Sequence, residues 1–514
     1  MDNLKKDSGK KVALAIIGSG IAAAMGFLIN FILTPLVTNS LGTEAYGFVT
    51  LANTFVSYAT IVTIALNSYS TRYISLAYHK GDIKKCREYF SSIFYANVII
   101  AIIILIVATM LVFEIEKLIQ IPANMIGETK VLFLFVFLNF IILTLGNVFS
   151  ASAYITEHLD LVGVFKAVAY GIEILLLLVG FKVLVPKMWY VGIALIGFSS
   201  IVLFSNYGIY KKCTPDINFK ISDFRFTSVK EVVVNGIWNS VNSLGNTLNS
   251  GFDLIITNLM LNPLTMGKIS IAKSIGTIMC ILYQLVSQAF QPLFLKSYAA
   301  NDRKKLLREL IFSMKLSGII AGLVFSGFVI LGQDFLKLWL PGQDTLTIYK
   351  LTIIVLLSYV LEGVVGPLYY IYTLKIKNKV PCIITILGGI INIGAMYILL
   401  TYTDGGAYIV VGTTAVIMIF INLVTNPLYM CKCMEIKWYT FYPTILKYIF
   451  YIVIMIIVFR FAFPLLKINS WLELIINGIV ISLVGIVLYF FLMLNQYEKK
   501  HALSLFNRYR NKKH

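Results

Sequence analysis

Fourteen apolar runs, each long enough to cross the roughly 30 Å hydrocarbon core of a bilayer, decide what this chain can become. They lie near residues 12–38, 47–69, 91–113, 131–153, 160–181, 188–210, 233–257, 266–290, 311–332, 348–373, 380–401, 406–430, 443–465 and 471–494. Inside lipid a backbone must satisfy its own hydrogen bonds, and a helix does so span by span. The expectation is therefore an all-α polytopic membrane protein with 14 transmembrane helices. Only 13% of residues are charged, about half the share in a soluble domain. The first run follows the basic leader MDNLKKDSGKK. It is too long for a signal-peptide core and no small-residue cleavage site follows it, so it reads as a span.

A net charge of +19 would suit nucleic acid in a soluble protein. Here the cations collect in alternate loops, which is the pattern of cytoplasmic loops in a membrane protein. The basic loops lie near 72–87, 211–230, 296–308, 375–379 and 432–437, and both ends are basic. The opposite loops hold only scattered lysines, such as Lys117, Lys130, Lys182, Lys187, Lys337, Lys350 and Lys467. Both termini are expected in the cytoplasm, and no nucleic-acid partner is expected. Five of the six cysteines (Cys86, Cys213, Cys382, Cys431 and Cys433) fall at inner ends or in inner loops, and Cys280 within a span. None needs a disulfide. The chain has no HExxH, GxSxG, P-loop or paired CxxC, and the lone CxC at Cys431 and Cys433 has no nearby histidine. A transporter is expected rather than an enzyme, with no cofactor and no metal.

Two segments repeat at a constant offset of 220 residues: LGTEAYG at 41–47 with LNPLTMG at 261–267, and AYHKGDIKK at 77–85 with SYAANDRKK at 297–305. The offset spans six helices, an even number, so the halves share one orientation and form a parallel repeat. The expected architecture is two six-helix lobes, 1–220 and 221–438, followed at 439–514 by two extra helices and a basic tail. The Asp82-Lys84-Lys85 and Asp302-Lys304-Lys305 loops read as short amphipathic helices on the cytoplasmic face. The tail reads as a basic surface helix.

The seventh run breaks the apolar rule. Asn235, Asn239, Asn242, Asn246, Asn249 and Asp253 recur at steps of four and three, which places them on one helical face. Lipid cannot satisfy six such side chains, so the face must meet protein or water. Interhelical hydrogen bonding is one reading; the wall of a hydrated cavity is the other. Run eight has a stripe at Ser270, Lys273, Thr277, Cys280, Gln284, Ser287 and Gln291, and its repeat counterpart in run two has Thr50, Asn53, Ser57, Thr60, Asn67 and Thr71. Run one has a weaker stripe at Ser19, Gly26, Asn30 and Thr34. The four together predict a cavity between two lobes.

Single charges within spans need a reason, since each costs about 2.5–3.5 kcal/mol on insertion scales. Lys273 either attracts an anionic substrate group or pairs with Asp253, and both hold in different states if the protein changes conformation. Asp253 is also a candidate ion-coupling site, although pairing with Lys273 would make it a poor proton carrier. Glu362 lies mid-span in YVLEGVVGPLYY. It is either a proton-coupling residue or a cap for backbone groups freed by Gly366 and Pro367. Lys166 and Glu173 lie seven residues apart in run five, too far for direct contact, so each needs another partner. Glu173 is a third coupling candidate. Lys268, Arg460 and Lys467 read as interfacial. Arg72, at the inner mouth of run two, is placed to meet a phosphate.

The segments PLVTNSLGTEAYGFVTLA (35–52) and ALNSYSTRYISLAYHKGDIKK (65–85) resemble the N-terminal signature of the Wzx-type polysaccharide-biosynthesis flippases, of the multidrug/oligosaccharidyl-lipid/polysaccharide superfamily. The resemblance implies a flippase that carries an undecaprenyl-diphosphate-linked oligosaccharide from the inner to the outer leaflet of the bacterial cytoplasmic membrane, by alternating access of two lobes, for surface polysaccharide synthesis. It implies coupling to a proton or sodium gradient, contact with membrane lipids, and other polysaccharide-assembly proteins as candidate partners. A cation-coupled drug or small-metabolite exporter of the same superfamily is the alternative, although such exporters have twelve spans. A membrane glycosyltransferase would need a large outer loop with catalytic groups, and a scaffold would not need an asparagine stripe.

Overall fold

The computed structural model describes residues 2–156, 158–375, 377–462, 468–496 and 498–499. Lys467, the tail beyond Lys499, and the side chains of Lys5, Lys6, Lys10, Lys11 and Ser19 fall outside what is described. Among the described residues the regular structure is entirely helical. The membrane helices are α1 (Asp2–Leu41), α2 (Thr43–His79), α3 (Ile83–Phe113), α4 (Ala123–Ile155), α5 (Leu159–Val183), α6 (Tyr190–Cys213), α7 (Phe226–Ser250, resuming as Phe252–Met260), α8 (Pro263–Ala299), α9 (Arg303–Trp339), α10 (Thr345–Lys375), α11 (Lys379–Tyr402), α12 (Ala407–Met434), α13 (Tyr442–Ala462) and α14 (Trp471–Leu492). Thirteen of them are long and apolar enough to cross a membrane by composition. The fourteenth, α7, has the length: 25 residues before its break, about 38 Å at 1.5 Å per residue. Its asparagines remove it from the apolar set.

The two Gly/Asn-Asp-Lys loops are not separate amphipathic helices. Each is the cap of a long helix. Asp82 accepts from the backbone N–H of Lys85 at 2.9 Å, and Asp302 accepts from that of Lys305 at 2.9 Å. The residue before each aspartate has positive φ, Gly81 at 77° and Asn301 at 56°. The sharp turn ends one helix, and the aspartate satisfies a free N–H of the next. The lysines that suggested a surface helix are simply the first turn of α3 and α9.

The chain packs into two compact units, Met1–Ser270 with Thr385–Asp404, and Ile271–Ile384 with Gly405–His514. In the first, α7 lies against α2 through small residues. Ser240 donates to the Ile61 carbonyl at 2.7 Å, and a Cβ on Gly236 would run into the Ala65 carbonyl. Gly47 and Gly267, partners under the 220-residue offset, touch one another: a Cβ on Gly47 would stand 3.0 Å from the Gly267 Cα. Close backbone approach of this kind is how helices associate where lipid supplies no hydrophobic drive. An aromatic cluster joins α3, α4 and α6, with Phe90 stacked on Tyr210 at 5.1 Å and 17°. Outside the spans, Lys130 lies 2.8 Å from Glu116 and holds that carboxyl below its usual range.

In the second unit α9 is the post against which α10, α13 and α14 pack. Ser317 of α9 donates to the Gly363 carbonyl. Two buried tyrosines of α13 direct their hydroxyls to backbone carbonyls, Tyr448 to Val360 at 3.1 Å and Tyr451 to Gly485 at 3.1 Å. Lys315 of α9 pairs with Glu498, just past α14, at 2.7 Å, with side chains 9% and 14% exposed. A buried ion pair of this kind is costly to break from one side.

Candidate functional site

The stripe on α7 divides in two. Asn235, Asn239, Asn242 and Asn246 are exposed, whereas Asn249 and Asp253 are buried. The division falls between Asn246 and Asn249, in the last turn before the break at Gly251. Asn249 is bound into the packing: its amide donates to the Gly245 carbonyl at 2.9 Å and the Thr385 carbonyl at 2.6 Å, and its backbone carbonyl accepts from the amide of Asn392 of α11 at 3.0 Å. Asp253 is 2% exposed and lies in the short helix after the break. So one face of α7 has an exposed run of four amides, and the buried pair sits beyond it. The exposed run begins at a small cavity of about 160 Å³ lined by Tyr69, Arg72, Tyr73, Leu76 and Asn235. There the Asn235 amide donates to the Tyr73 hydroxyl at 2.8 Å, and the Arg72 guanidinium lies 5.9 Å from the centre of the Tyr69 ring. Tyr89 donates to Glu231 at 2.8 Å, which ties the start of α3 to the start of α7.

Two larger cavities lie one in each unit. The first, about 720 Å³ and open on one side, is lined by α2, α4, α5 and α6. Its polar lining includes Thr60, Thr63, Asn67, Ser68, Asn139, Asn147, Lys166, Tyr170 and Asn206. Asn67 forms a reciprocal amide pair with Asn97, at 3.2 and 2.9 Å. Asn139 is 8% exposed, and its Oδ1 has no hydrogen-bond partner. The second, about 270 Å³, is lined by α8 and α10: Tyr283, Gln284, Ser287, Gln288, Gln291, Glu362, Gly366, Pro367, Tyr369, Tyr370 and Thr373. Beside it Tyr369 donates to Asn422 of α12.

The two cavities occupy equivalent places in the repeat. Adding 220 to Thr63, Ile64, Asn67 and Ser68 gives Tyr283, Gln284, Ser287 and Gln288, and adding it to Gly146, Asn147 and Ser150 gives Gly366, Pro367 and Tyr370; all fourteen are lining residues. The charge is opposite. Lys166 is the charged lining residue of the first, and Glu362 that of the second.

The remaining candidates fall as follows. Asn53 is exposed on α2 and bonds back to the Val49 carbonyl at 3.1 Å. Asn30 is exposed on α1 and bonds back to the Gly26 carbonyl at 3.0 Å. Gln284 is exposed, with its amide 3.0 Å from the Cys280 sulfur. Lys273 is half-buried on α8. Glu173 is buried one turn from Tyr170. Sequence reasoning did not single out Asn139, Asn147 or Asn206. Their only signal was an amide inside runs that otherwise read as continuous apolar spans. Lys315 was likewise missed, since its partner lies 183 residues away.

The profile of the polysaccharide biosynthesis protein family matches residues 9–298. The uncharacterized membrane protein EpsK of Bacillus subtilis (strain 168) is 28% identical over 476 residues, covering 93% of this chain and 94% of its own. Among solved structures, the lipid II flippase MurJ in an inward closed conformation superposes with TM-score 0.70 at 15% identity, over 93% of this chain and 99% of its own. An inward-facing multidrug resistance MATE family transporter superposes with TM-score 0.66 at 13% identity, over 82% of this chain and 98% of its own. These likenesses show a shared fold. With more than half of its length matched to one profile, the chain belongs to the polysaccharide biosynthesis protein family.

Proposed function

We propose that this protein is a flippase that moves an undecaprenyl-diphosphate-linked oligosaccharide across the bacterial cytoplasmic membrane by alternating access of two six-helix lobes, for surface polysaccharide synthesis. The observation that carries the reading is the exposed amide face of α7: Asn235, Asn239, Asn242 and Asn246 are exposed along a helix of membrane length, where lipid could not satisfy them. Amides offer donors and acceptors without net charge, which suits sugar hydroxyls passing through a low-dielectric layer. Arg72 and Lys273 are the cations suited to the diphosphate. Glu362, Asp253 and Glu173 are the candidates for coupling to a proton or sodium gradient.

The MurJ likeness spans nearly the whole chain, whereas the MATE likeness stops at 82% of it. A twelve-helix exporter would leave α13 and α14 without counterparts, so coverage favours the flippase over a drug exporter. The test is a deletion strain. Loss of this protein is expected to cause a lipid-linked glycan to accumulate on the inner leaflet and surface glycan to disappear. Asn242→Leu combined with Asn246→Leu is expected to fail to restore surface glycan at normal membrane abundance. Full restoration by that variant would remove the amide face from the pathway, and a deletion strain without accumulated lipid-linked glycan would sink the flippase reading.

A further inference from the structure

We infer that the cavity lined by α2, α4, α5 and α6 is a binding site for a sugar unit bearing one acidic group. The inference rests on the flippase reading for the general class of cargo; it adds where the sugar is held and what kind of sugar it is. The volume of about 720 Å³ lies in the range of roughly 300–1,000 Å³ typical of small-molecule sites. Its chemistry selects among occupants.

Asn139 is 8% exposed and lines the cavity, and its Oδ1 is unpartnered. Nearly all buried polar atoms in proteins find a partner. This oxygen lies beneath the cavity surface, so a hydroxyl donor would satisfy it only after the Asn139 side chain turns toward the space. Asn147 and Asn206, from α4 and α6, line the same space, so amides converge from two helices. Tyr170 and Phe198, packed ring against ring with centroids 4.6 Å apart and planes inclined at 31°, add aromatic surface to the lining. Amides around hydroxyls and an aromatic face against C–H bonds are the two things a pyranose ring needs.

The charge narrows the class further. Lys166 is on the wall, and no aspartate or glutamate is among the lining residues. Among the described residues Lys166 has no ion-pair partner. Lys166 is exposed, yet a cation within a membrane span still gains from a counter-charge. A cationic drug would bring like charge, a neutral sugar none, and a carboxylate on the sugar would supply the counter-charge. A bare phosphate would satisfy Lys166 but would leave the aromatic wall unused. The repeat-related cavity has Glu362 and no lysine or arginine among its lining residues, and so lacks this preference.

The purified full-length protein in nanodiscs tests the site by equilibrium binding of three probes: a trisaccharide with one glucuronate, the same trisaccharide with glucose in that place, and inorganic pyrophosphate. The glucuronate probe is expected to bind at least tenfold more tightly than the neutral one. Lys166→Gln is expected to erase that preference, and Lys166→Arg to keep it. Asn139→Leu is expected to weaken both sugars at least tenfold, with the smaller Asn139→Ser used if the leucine variant lowers membrane abundance. Equal binding of the two sugars, or a preference that survives Lys166→Gln, overturns the assignment. Pyrophosphate displacing the glucuronate probe with no contribution from the sugar would also overturn it and give the cavity to the linker. The flippase reading fails by a different measurement, the absence of accumulated lipid-linked glycan in the deletion strain, and probe binding does not depend on that result.

Discussion

The two cavities stand at the same places in the repeat and are built for opposite charges. In the first unit the α2 and α4 positions are Thr63, Asn67, Ser68 and Asn147, and α5 adds Lys166. In the second, the corresponding positions are Tyr283, Ser287, Gln288 and Pro367, and α10 adds Glu362. Size differs as well, about 720 against about 270 Å³. The larger cavity has four helices around it, whereas the smaller draws its lining from two. Bulk explains part of the rest, because Tyr283 and Tyr370 replace Thr63 and Ser150. The repeat thus supplies a frame, and side-chain choice turns one copy into a roomy cationic cavity and the other into a narrow acidic one.

The strongest way to break this contrast is to make the two cavities alike. Lys166→Glu places a carboxylate in both. Surface glycan is expected to fall more than a hundredfold, at unchanged membrane abundance, because an acidic sugar would then meet like charge where it needs a counter-charge. Normal glycan output in this variant would show that the larger cavity lies off the pathway. Glu362→Gln works from the other side. It keeps the shape and removes the ionisable group, so uptake in proteoliposomes is expected to lose its dependence on an imposed proton gradient, with gradient-driven flux down about tenfold. Full gradient-driven flux would remove Glu362 from coupling and leave it as a cap for the backbone around Gly366 and Pro367.

How much of this could be read beforehand depended on whether a signal lay along one helix or across several. The spans were legible because each is a continuous apolar run. The amides of α7 were legible because steps of three and four put them on one face. Their division into an exposed run and a buried pair was not. It depends on the break at Gly251 and on Thr385 and Asn392 of α11, which lie more than 130 residues away. The larger cavity was illegible for the same reason. Asn139, Asn147 and Asn206 are solitary polar residues within apolar runs, and only packing brings them round one space. Lys166 drew attention as a charge in a span, but nothing local named its surroundings. The Asp-x-Lys-Lys loops failed differently. Their cations suggested a surface helix, while the aspartate and the positive-φ residue before it were the signals of a helix start.

Those caps provide the mildest test, and it sharpens how far the repeat extends. Asp82 and Asp302 accept from the third residue onward at the same 2.9 Å, and the turns before them share their backbone pattern. The Asp82 N–H reaches the Ala77 carbonyl at 3.1 Å and the Asp302 N–H reaches the Ser297 carbonyl at 3.1 Å. If the frame is equivalent and only the cavities have diverged, the two caps should contribute equally. Asp82→Ala and Asp302→Ala are each expected to cost about 1 kcal/mol, and the double variant the sum, since distant sites add. Denaturant unfolding in mild detergent measures all three. A loss confined to one cap would show that divergence reaches the frame itself, in which case the opposite charges of the two cavities would be one part of a wider asymmetry.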